Sequence, residues 1–272
     1  MSARLIPTAH FAELVFGPGG VAADDPAETY HEASRLYESL GARQVPGVAL
    51  LERHPELLET VARAGKRYAG RPRVALEAPD LPEATLGAAL AARRSRPDAT
   101  RTPLPLADLG TLLAAAYGVT GLAGHQTLRA SPSGGALYPL ELYVVALDVI
   151  GLPAGVHHYD PSRHALVRLR GDEAVEPFRR SFVRPELVDT AAAVVVFAAM
   201  FWRSRFKYGQ RGYRFVLIEA GHAAQNLLLA ATAAQLAAVP VGGFYDRPLD
   251  SSIGVDSVDE AAVYAVAVGG RA

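Results

Sequence analysis

Cysteine is absent from this chain of 272 residues, which also has only two methionines and one tryptophan. Without a thiol, the protein can form no disulfide, no zinc–thiolate or iron–sulfur site and no thiolate nucleophile. A chain of this composition fits a reducing, cytoplasmic setting. Residues 1–16 lack the continuous apolar run of a secretory signal, because proline, histidine and glutamate interrupt them, so we expect no export.

A surplus of charge of one sign is also missing. Lys and Arg together number 27 and Asp and Glu 28, which gives a net charge of −1, so no overall basic field attracts nucleic acid. The longest apolar run without a charge, residues 190–202, is shorter than the ~20 residues of a membrane-spanning helix. We therefore expect a soluble globular protein without nucleic-acid or membrane partners.

Several catalytic fingerprints do not occur either. The chain has no G-x-x-x-x-G-K-[ST] loop and no G-x-G-x-x-G turn that opens a helix after a strand, so the usual signals of ATP and dinucleotide binding are absent. It has no G-x-S-x-G elbow of a serine hydrolase. It has no H-E-x-x-H pair, and the adjacent His157 and His158 point to opposite faces of a predicted strand, so we expect no metal site.

What the chain does contain falls into two parts, a helical N-terminal region of residues 1–85 and a domain of residues 86–272. In the first part, apolar residues recur at helical spacing over 26–40 and 54–64. In the second part the patterns predict helices over 82–94, 104–117, 173–182 and 211–238, and strands over 141–148, 156–159, 165–170, 191–201 and 261–268. This order predicts an α+β fold with a central mixed β-sheet flanked by helices.

A basic cluster follows the first predicted helix of the domain. It comprises Arg93, Arg94, Ser95, Arg96 and Arg101. Guanidinium groups pair with phosphate through two hydrogen bonds, and a serine hydroxyl adds a donor, so the cluster can grip an oxyanion. The competing interpretation is a solvated basic surface.

Two further segments have the residue types of a ligand site. The glycine-rich loop SPSGGALY, residues 131–138, lets a backbone approach a planar ligand closely, since glycine has no side chain. A structural turn agrees with that pattern equally well. The segment WRSRFKYGQRGYR, residues 202–214, follows the most apolar strand and holds Lys207 beside Tyr208, a candidate pair for proton transfer. The alternative there is a basic surface loop.

One helix carries a polar stripe. The helix predicted over 211–238 has apolar residues on nearly every side, and its Glu219, His222 and Asn226 fall at i, i+3 and i+7. We interpret the stripe as a buried polar line at a helix–helix or subunit contact. A catalytic role is the alternative.

The motifs RRS, SPSGGALYP, FKYGQRGYRF, EAGHAAQN and PVGGF occur in this order between residues 86 and 269. The ordered set resembles the nitroreductase-like flavoenzymes and, more narrowly, the SagB-type (McbC-like) azoline dehydrogenases. YHEASR, residues 30–35, resembles a stretch upstream in that group. The resemblance implies a nitroreductase-like fold that binds FMN at the interface of a homodimer. It also implies oxidation of thiazoline or oxazoline rings to thiazoles or oxazoles on a peptide or carrier-bound substrate, with a cyclodehydratase as partner.

The same resemblance implies roles for single residues. By this match, Arg93, Arg94 and Ser95 hold the FMN phosphate and the polar edge of the flavin. Pro132, Ser133 and Gly134 line the isoalloxazine ring, from the other subunit, and Gly242 and Gly243 offer a backbone N–H to flavin N5. Lys207 and Tyr208 match the catalytic Lys-Tyr pair of azoline dehydrogenases, with Lys207 as the base.

The chain departs from the family pattern RRSxRxF at two positions. Pro97 and Ala99 stand at the second basic and the aromatic position, so a phosphate contact is missing unless Arg96, Arg101 or Arg271 replaces it. Two other functions stay open beside azoline oxidation. One is a general FMN-dependent nitroreductase or a desaturase of another substrate, and the other is a flavin-free scaffold in a biosynthetic complex.

Overall fold

Most elements that the sequence patterns predict are present in the computed structural model, which describes residues 15, 22, 24–54, 57, 65–97, 100–124 and 126–271. The helices are α1 (Pro26–Ala33), α2 (Pro46–Arg53), α3 (Leu86–Ala92), α4 (Leu106–Tyr117), α5 (Val175–Arg180), α6 (Glu186–Asp189), α7 (Trp202–Tyr208), α8 (Arg211–Ala233) and α9 (Asp246–Ile253). The strands are β1 (Arg73–Ala75), β2 (Leu104–Pro105), β3 (Val119–Ala123), β4 (Gln126–Arg129), β5 (Leu140–Ala146), β6 (Val149–Ile150), β7 (Gly155–Asp160), β8 (Ala165–Arg170), β9 (Ala193–Met200), β10 (Leu236–Val241) and β11 (Glu260–Arg271). The predicted helix over 54–64 lies largely outside the described residues.

Seven strands form the central sheet in the order β1–β8–β7–β5–β9–β11–β10. The expectation of a mixed sheet is wrong in this detail, because every described pairing between these neighbours is antiparallel. The parallel pair of β2 with β6 belongs to a separate two-stranded sheet. Strand direction depends on which distant segment lies alongside, and the alternation of apolar residues along one strand carries no such information.

Helices cover both faces of the sheet, which confirms the α+β class. On one face, α4 and α8 pack over the side chains of Leu142, Val195 and Phe197. On the other, α5, α6 and α9 pack over Val194 and Val196. Side chains alternate between the faces of a strand, so β9 contributes to both cores. This explains its uninterrupted apolar sequence.

The long helix is shorter than its pattern predicts. The expected helix ran to residue 238, but α8 ends at Ala233 and an edge strand, β10, begins at Leu236. Gln235 between them has a φ of +57°, a left-handed residue that ends the helix. The alanine-rich segment becomes a strand because it pairs with β11, which outweighs its local helix propensity.

The N-terminal region contributes to the sheet. Its strand β1 pairs with β8, so the sheet uses residues from both sides of position 85. Among the described residues, no helix has both the length and the apolar character needed to cross a membrane.

Candidate active site

The glycine-rich loop, residues 131–138, is held by hydrogen bonds to α8. Asn226 Nδ2 donates to the Ala130 carbonyl at 3.4 Å and to Ser131 Oγ at 3.3 Å. Glu219 accepts a hydrogen bond from the Tyr117 hydroxyl of α4 at 2.6 Å, and Ser133 of the loop interacts with its carboxyl group. Two members of the predicted polar stripe, Glu219 and Asn226, therefore form the expected satisfied polar line, which here lies against a loop.

A cavity of about 300 Å³ opens between this loop and α8. Its wall consists of Pro132, Ser133, Gly134, Phe215, Ile218, Glu219 and His222. The exposed wall is mostly apolar, as in sites for planar organic ligands. A Cβ atom placed on Gly134 would lie 3.3 Å from the Phe215 ring. The three predicted loop residues thus lie together at a cavity edge, beside the third member of the stripe, the exposed His222.

Lys207 and Tyr208 lie at the C-terminal end of α7 and reach the same loop. A Cβ atom placed on Gly135 would lie 2.6 Å from the Tyr208 hydroxyl and 2.7 Å from Lys207 Nζ. The φ of Gly135 is +69°, which also favours glycine. Lys207 Nζ lies 5.1 Å from the centre of the Tyr208 ring. The structure therefore brings the predicted Lys-Tyr pair to the predicted loop, although the two are far apart in the chain.

Phe215 connects the Lys-Tyr pair to the cavity, and it is not among the residues that the sequence patterns single out. The Tyr208 and Phe215 rings meet edge to face with their centres 5.1 Å apart. Phe215 also walls the cavity beside Gly134. The motif FKYGQRGYRF contains this phenylalanine, but only the turn at Gly209 between α7 and α8 makes it face Tyr208.

Glu219 is a buried carboxyl group at the cavity wall. It is 2% exposed, and this burial raises its pKa to about 7, while the hydrogen bonds from Ser133 and Tyr117 and the charge of Arg129 act in the opposite direction. The Arg129 guanidinium lies 4.3 Å and 4.7 Å from the ring centres of Tyr117 and Tyr138. A carboxyl group that titrates near neutral pH can exchange a proton at this wall.

A buried ion pair ties α7 to the sheet. Arg203 Nη2 donates to Glu141 Oε1, and Glu141 Oε2 lies 2.7 Å from His158 Nε2. The Lys66 amide donates to Glu141 Oε1 at 3.1 Å. Burial by itself would raise the pKa of Glu141, but the His158 hydrogen bond and the Arg203 charge outweigh it and lower the pKa to about 2. Arg203 therefore anchors the helix that ends in the Lys-Tyr pair.

The predicted phosphate cluster lies after α3. Arg93 caps the helix, and Arg94 Nη1 donates to the carbonyls of Ala91 and Arg93 at 2.9 Å and 2.7 Å. Ser95 is exposed. Among the described residues, no hydrogen bond links Arg93, Arg94 or Ser95 to the glycine-rich loop, and none of the three lines the cavity beside that loop.

The three arginines considered as substitutes for the missing phosphate contact differ in their contacts. Arg101 Nη2 donates to the Val188 carbonyl at 3.0 Å. Arg96 lines a small cleft against β10 and β11. Asp98, Ala99 and the side chain of Arg271 lie outside the described residues. Within the described ranges, no three His, Asp or Glu side chains are grouped so as to hold a metal ion.

Gly242 and Gly243 follow β10 and are exposed. A Cβ atom on Gly242 would meet no described atom within 4 Å, and one on Gly243 would come no closer than 3.8 Å to Val183. Neither has a positive φ. Within the described part of this chain, neither backbone strain nor crowding requires glycine at these positions.

Comparison with known proteins gives concordant matches. The model of the nitroreductase family matches residues 90–270. Over 174 residues, 64% of this chain and 86% of the relative, the chain is 40% identical to MJ1384 of Methanocaldococcus jannaschii, described as a nitroreductase. A solved structure described as a nitroreductase of Ralstonia eutropha has 28% identity and a TM-score of 0.62, covering 76% of this chain and 96% of its own.

Another relative in sequence is the microcin B17-processing protein McbC of Escherichia coli. It is 32% identical over 133 residues, which are 47% of this chain and 49% of McbC. The chain therefore matches about half the length of that relative in sequence. A solved structure of the microcin synthetase McbBCD complex with truncated pro-MccB17 matches with a TM-score of 0.55 and 22% identity, over 89% of this chain and 94% of that one. The resemblance inferred from the ordered motifs is confirmed: this chain belongs to the nitroreductase family of oxidoreductases.

Proposed function

We propose that this protein is an FMN-dependent dehydrogenase that oxidises thiazoline or oxazoline rings of a peptide or carrier-bound substrate. One observation carries the proposal: Lys207 Nζ and the Tyr208 hydroxyl converge on Gly135 beside the cavity of Pro132, Ser133 and Gly134. An amine and a phenol thus lie at Gly135, the residue that follows Gly134 of the cavity wall. The similarity to the microcin B17-processing protein McbC supports the choice of a peptide substrate.

The residues present fit a flavin. The cavity wall of Pro132, Gly134 and Phe215 suits a planar ring, and an added Cβ on the exposed Gly242 would meet no described atom within 4 Å, so there is space for a ligand beside this backbone. Arg93, Arg94 and Ser95 supply cationic and hydroxyl donors for a phosphate. When bound, FMN supplies a two-electron acceptor for hydride.

We propose that two copies of the chain complete the site. The loop residues Pro132–Gly134 wall a cavity whose described lining does not include Gly242 or Gly243. The helices α3 and α8 expose Leu86, Leu90 and Ile218, which are 66%, 53% and 54% exposed. Apolar side chains of this size at a surface are typical of a subunit contact. A homodimer would cover them and bring the loop of one subunit to the glycines of the other.

In the proposed reaction, the ring loses a proton and a hydride and becomes aromatic. Lys207 takes the proton from the carbon beside the C=N bond. The Tyr208 hydroxyl, next to the same Gly135 backbone, orients the ring. A cyclodehydratase partner would supply the azoline ring, as the complex of McbC with other synthetase subunits suggests by analogy.

A general nitroreductase, or a desaturase acting on another substrate, is the second candidate. The 40% identity to the Methanocaldococcus jannaschii protein described as a nitroreductase favours it. The two enzyme functions use the same cofactor and differ in their need for a base.

The test begins with an absorption spectrum of the purified protein before and after FMN is added. We expect about one flavin per chain. No flavin under either condition would favour the scaffold. The holoprotein is then assayed with an azoline peptide and with an artificial electron acceptor and a hydride donor.

The variant Lys207→Ala should lose ring oxidation by at least 100-fold, as expected when a general base is removed, and should keep acceptor reduction. Tyr208→Phe should also lower ring oxidation. Azole formation that survives Lys207→Ala would contradict the base assignment.

A further inference from the structure

A second cavity, of about 310 Å³, lies between the N-terminal region and the junction of α7 with α8. It shares no lining residue with the cavity at the glycine-rich loop. The N-terminal region packs closely here, since a Cβ atom on Gly47 would collide with the Phe206 carbonyl and with Lys207 Cα. Arg214 also donates from Nε to Ser34 Oγ at 2.7 Å. The cavity therefore lies where the N-terminal region packs closely against α7 and α8.

Of the described residues that line this cavity, four are arginines and none is acidic. They are Arg35, Arg43, Arg205 and Arg211. Arg35 pairs with Glu32 at 3.0 Å, but both side chains are more than half exposed, so that pair neutralises little. The positive charge at this cavity is largely uncompensated, which favours an anionic ligand.

Most hydrogen-bond donors of these arginines also have no acceptor among the described residues. Arg205 Nη2 donates to Gln210 at 3.3 Å, while its buried Nε has no partner among the described residues. Arg43 and Arg211 form no ion pair within the described part of the chain. A buried donor without an acceptor is costly, and a carboxylate in the cavity would satisfy it.

The apolar part of the lining points to a ligand larger than a simple anion. Trp202 is 57% exposed, with the Arg205 guanidinium 4.5 Å from its ring centre. Leu36, also in the wall, is 50% exposed. A volume of about 310 Å³ is in the range of organic ligands. A wall of arginines and exposed apolar side chains is complementary to a peptide ligand in which carboxylates alternate with apolar side chains.

We propose that this arginine-lined cavity binds an acidic segment of the peptide substrate. The cavity and the Lys-Tyr pair share helix α7, with Arg205 in the wall and Lys207 two residues further on. Residues two apart on a helix point to nearly opposite sides, so a peptide held at the arginines has to pass around α7 to present a ring to Lys207. The whole helix is only about 10 Å long, a length that about three extended peptide residues cover. That this acidic segment belongs to the substrate rests on the proposed function. Binding of an acidic peptide to the cavity is measured without turnover and is therefore tested separately.

The experiment uses fluorescence of Trp202, the only tryptophan of the chain. The holoprotein is titrated with a tryptophan-free peptide of alternating glutamate and leucine, with a matched lysine and leucine peptide, and with inorganic phosphate. We expect saturable binding of the acidic peptide alone, weakened at least tenfold in Arg43→Gln/Arg211→Gln. The control Arg53→Gln/Arg180→Gln removes the same charge from exposed arginines outside the cavity and should bind as the unchanged protein does.

Three results would overturn the proposal. They are equal binding of the basic peptide, saturation by inorganic phosphate that displaces the acidic peptide, and unchanged affinity in Arg43→Gln/Arg211→Gln. If that variant fails to fold, the salt dependence of binding to the unchanged protein tests the proposal instead. An affinity for the acidic peptide that is the same at low and high salt would contradict binding through arginines. Peptide binding without ring oxidation would leave this site supported and the proposed function refuted.

Discussion

The Tyr117 hydroxyl donates a hydrogen bond to Glu219 Oε1 at 2.6 Å, and both side chains are buried. The contact joins α4 to α8 directly behind the glycine-rich loop. Because Glu219 and Ser133 share the wall of the cavity, the protonation state of Glu219 acts on the loop that borders it.

Stability should fall as the pH rises through neutrality because of Glu219. Burial raises its pKa from 4.5 to about 7 in the folded state, so folding favours the protonated form. This contribution is complete below about pH 4.5 and is lost towards pH 7, by about 3 kcal/mol at most. Glu219→Gln should remove this dependence, measured by urea unfolding at pH 5 and pH 8. The exposed Glu38→Gln should keep it, and an identical pH dependence in Glu219→Gln would contradict the assignment.

Acid should destabilise the protein through Glu141. Its pKa is lowered from 4.5 to about 2 in the folded state, because the His158 and Arg203 interactions outweigh burial. The stabilisation is present above about pH 4.5 and is lost as the pH falls towards 2, by about 3 kcal/mol. Glu141→Gln should therefore be less stable than the unchanged protein at pH 7, and the gap should shrink at pH 3. A gap that stays constant between these pH values would show that Glu141 does not titrate in this way.

Gly135→Ala should damage the Lys-Tyr site. Alanine at a φ of +69° costs about 1–2 kcal/mol, and its Cβ would displace the Lys207 and Tyr208 end groups. We expect a lower unfolding midpoint and at least a tenfold loss of ring oxidation. Gly121→Ala, whose Cβ meets no described atom within 4 Å, is the control. Full activity in Gly135→Ala would mean that the converging groups are not used.

Gly242→Ala should separate cofactor binding from stability. Its Cβ meets no described atom within 4 Å, so urea unfolding without cofactor should change by no more than about 0.5 kcal/mol. FMN affinity should nevertheless fall about tenfold or more, because the methyl group would block a flavin at the backbone N–H. Fluorescence titration with FMN measures this, again with Gly121→Ala beside it. Unchanged FMN affinity would place the flavin elsewhere.

The sequence singled out much of the candidate site, because its motifs are local. The loop around Pro132, Ser133 and Gly134 and the pair Lys207–Tyr208 each consist of adjacent residues, and glycine content and charge are visible within a few positions. The polar stripe on α8 was also visible, since helical spacing alone aligns Glu219 with Asn226. The contact between this stripe and the glycine-rich loop could not be predicted, because no local pattern specifies which segment covers a helix.

By itself, the sequence determined which residue types are available and which segments bury an apolar face, and this was enough for the α+β class and for the family. The tertiary structure decided the antiparallel order of the sheet, the strand at Leu236–Val241, the meeting of Gly135 with Lys207, and the grouping of four arginines around Trp202. Periodicity depends on neighbours within a few positions along the chain. Pairing, convergence and burial depend on contacts between segments far apart in it, and only the packed chain specifies those contacts.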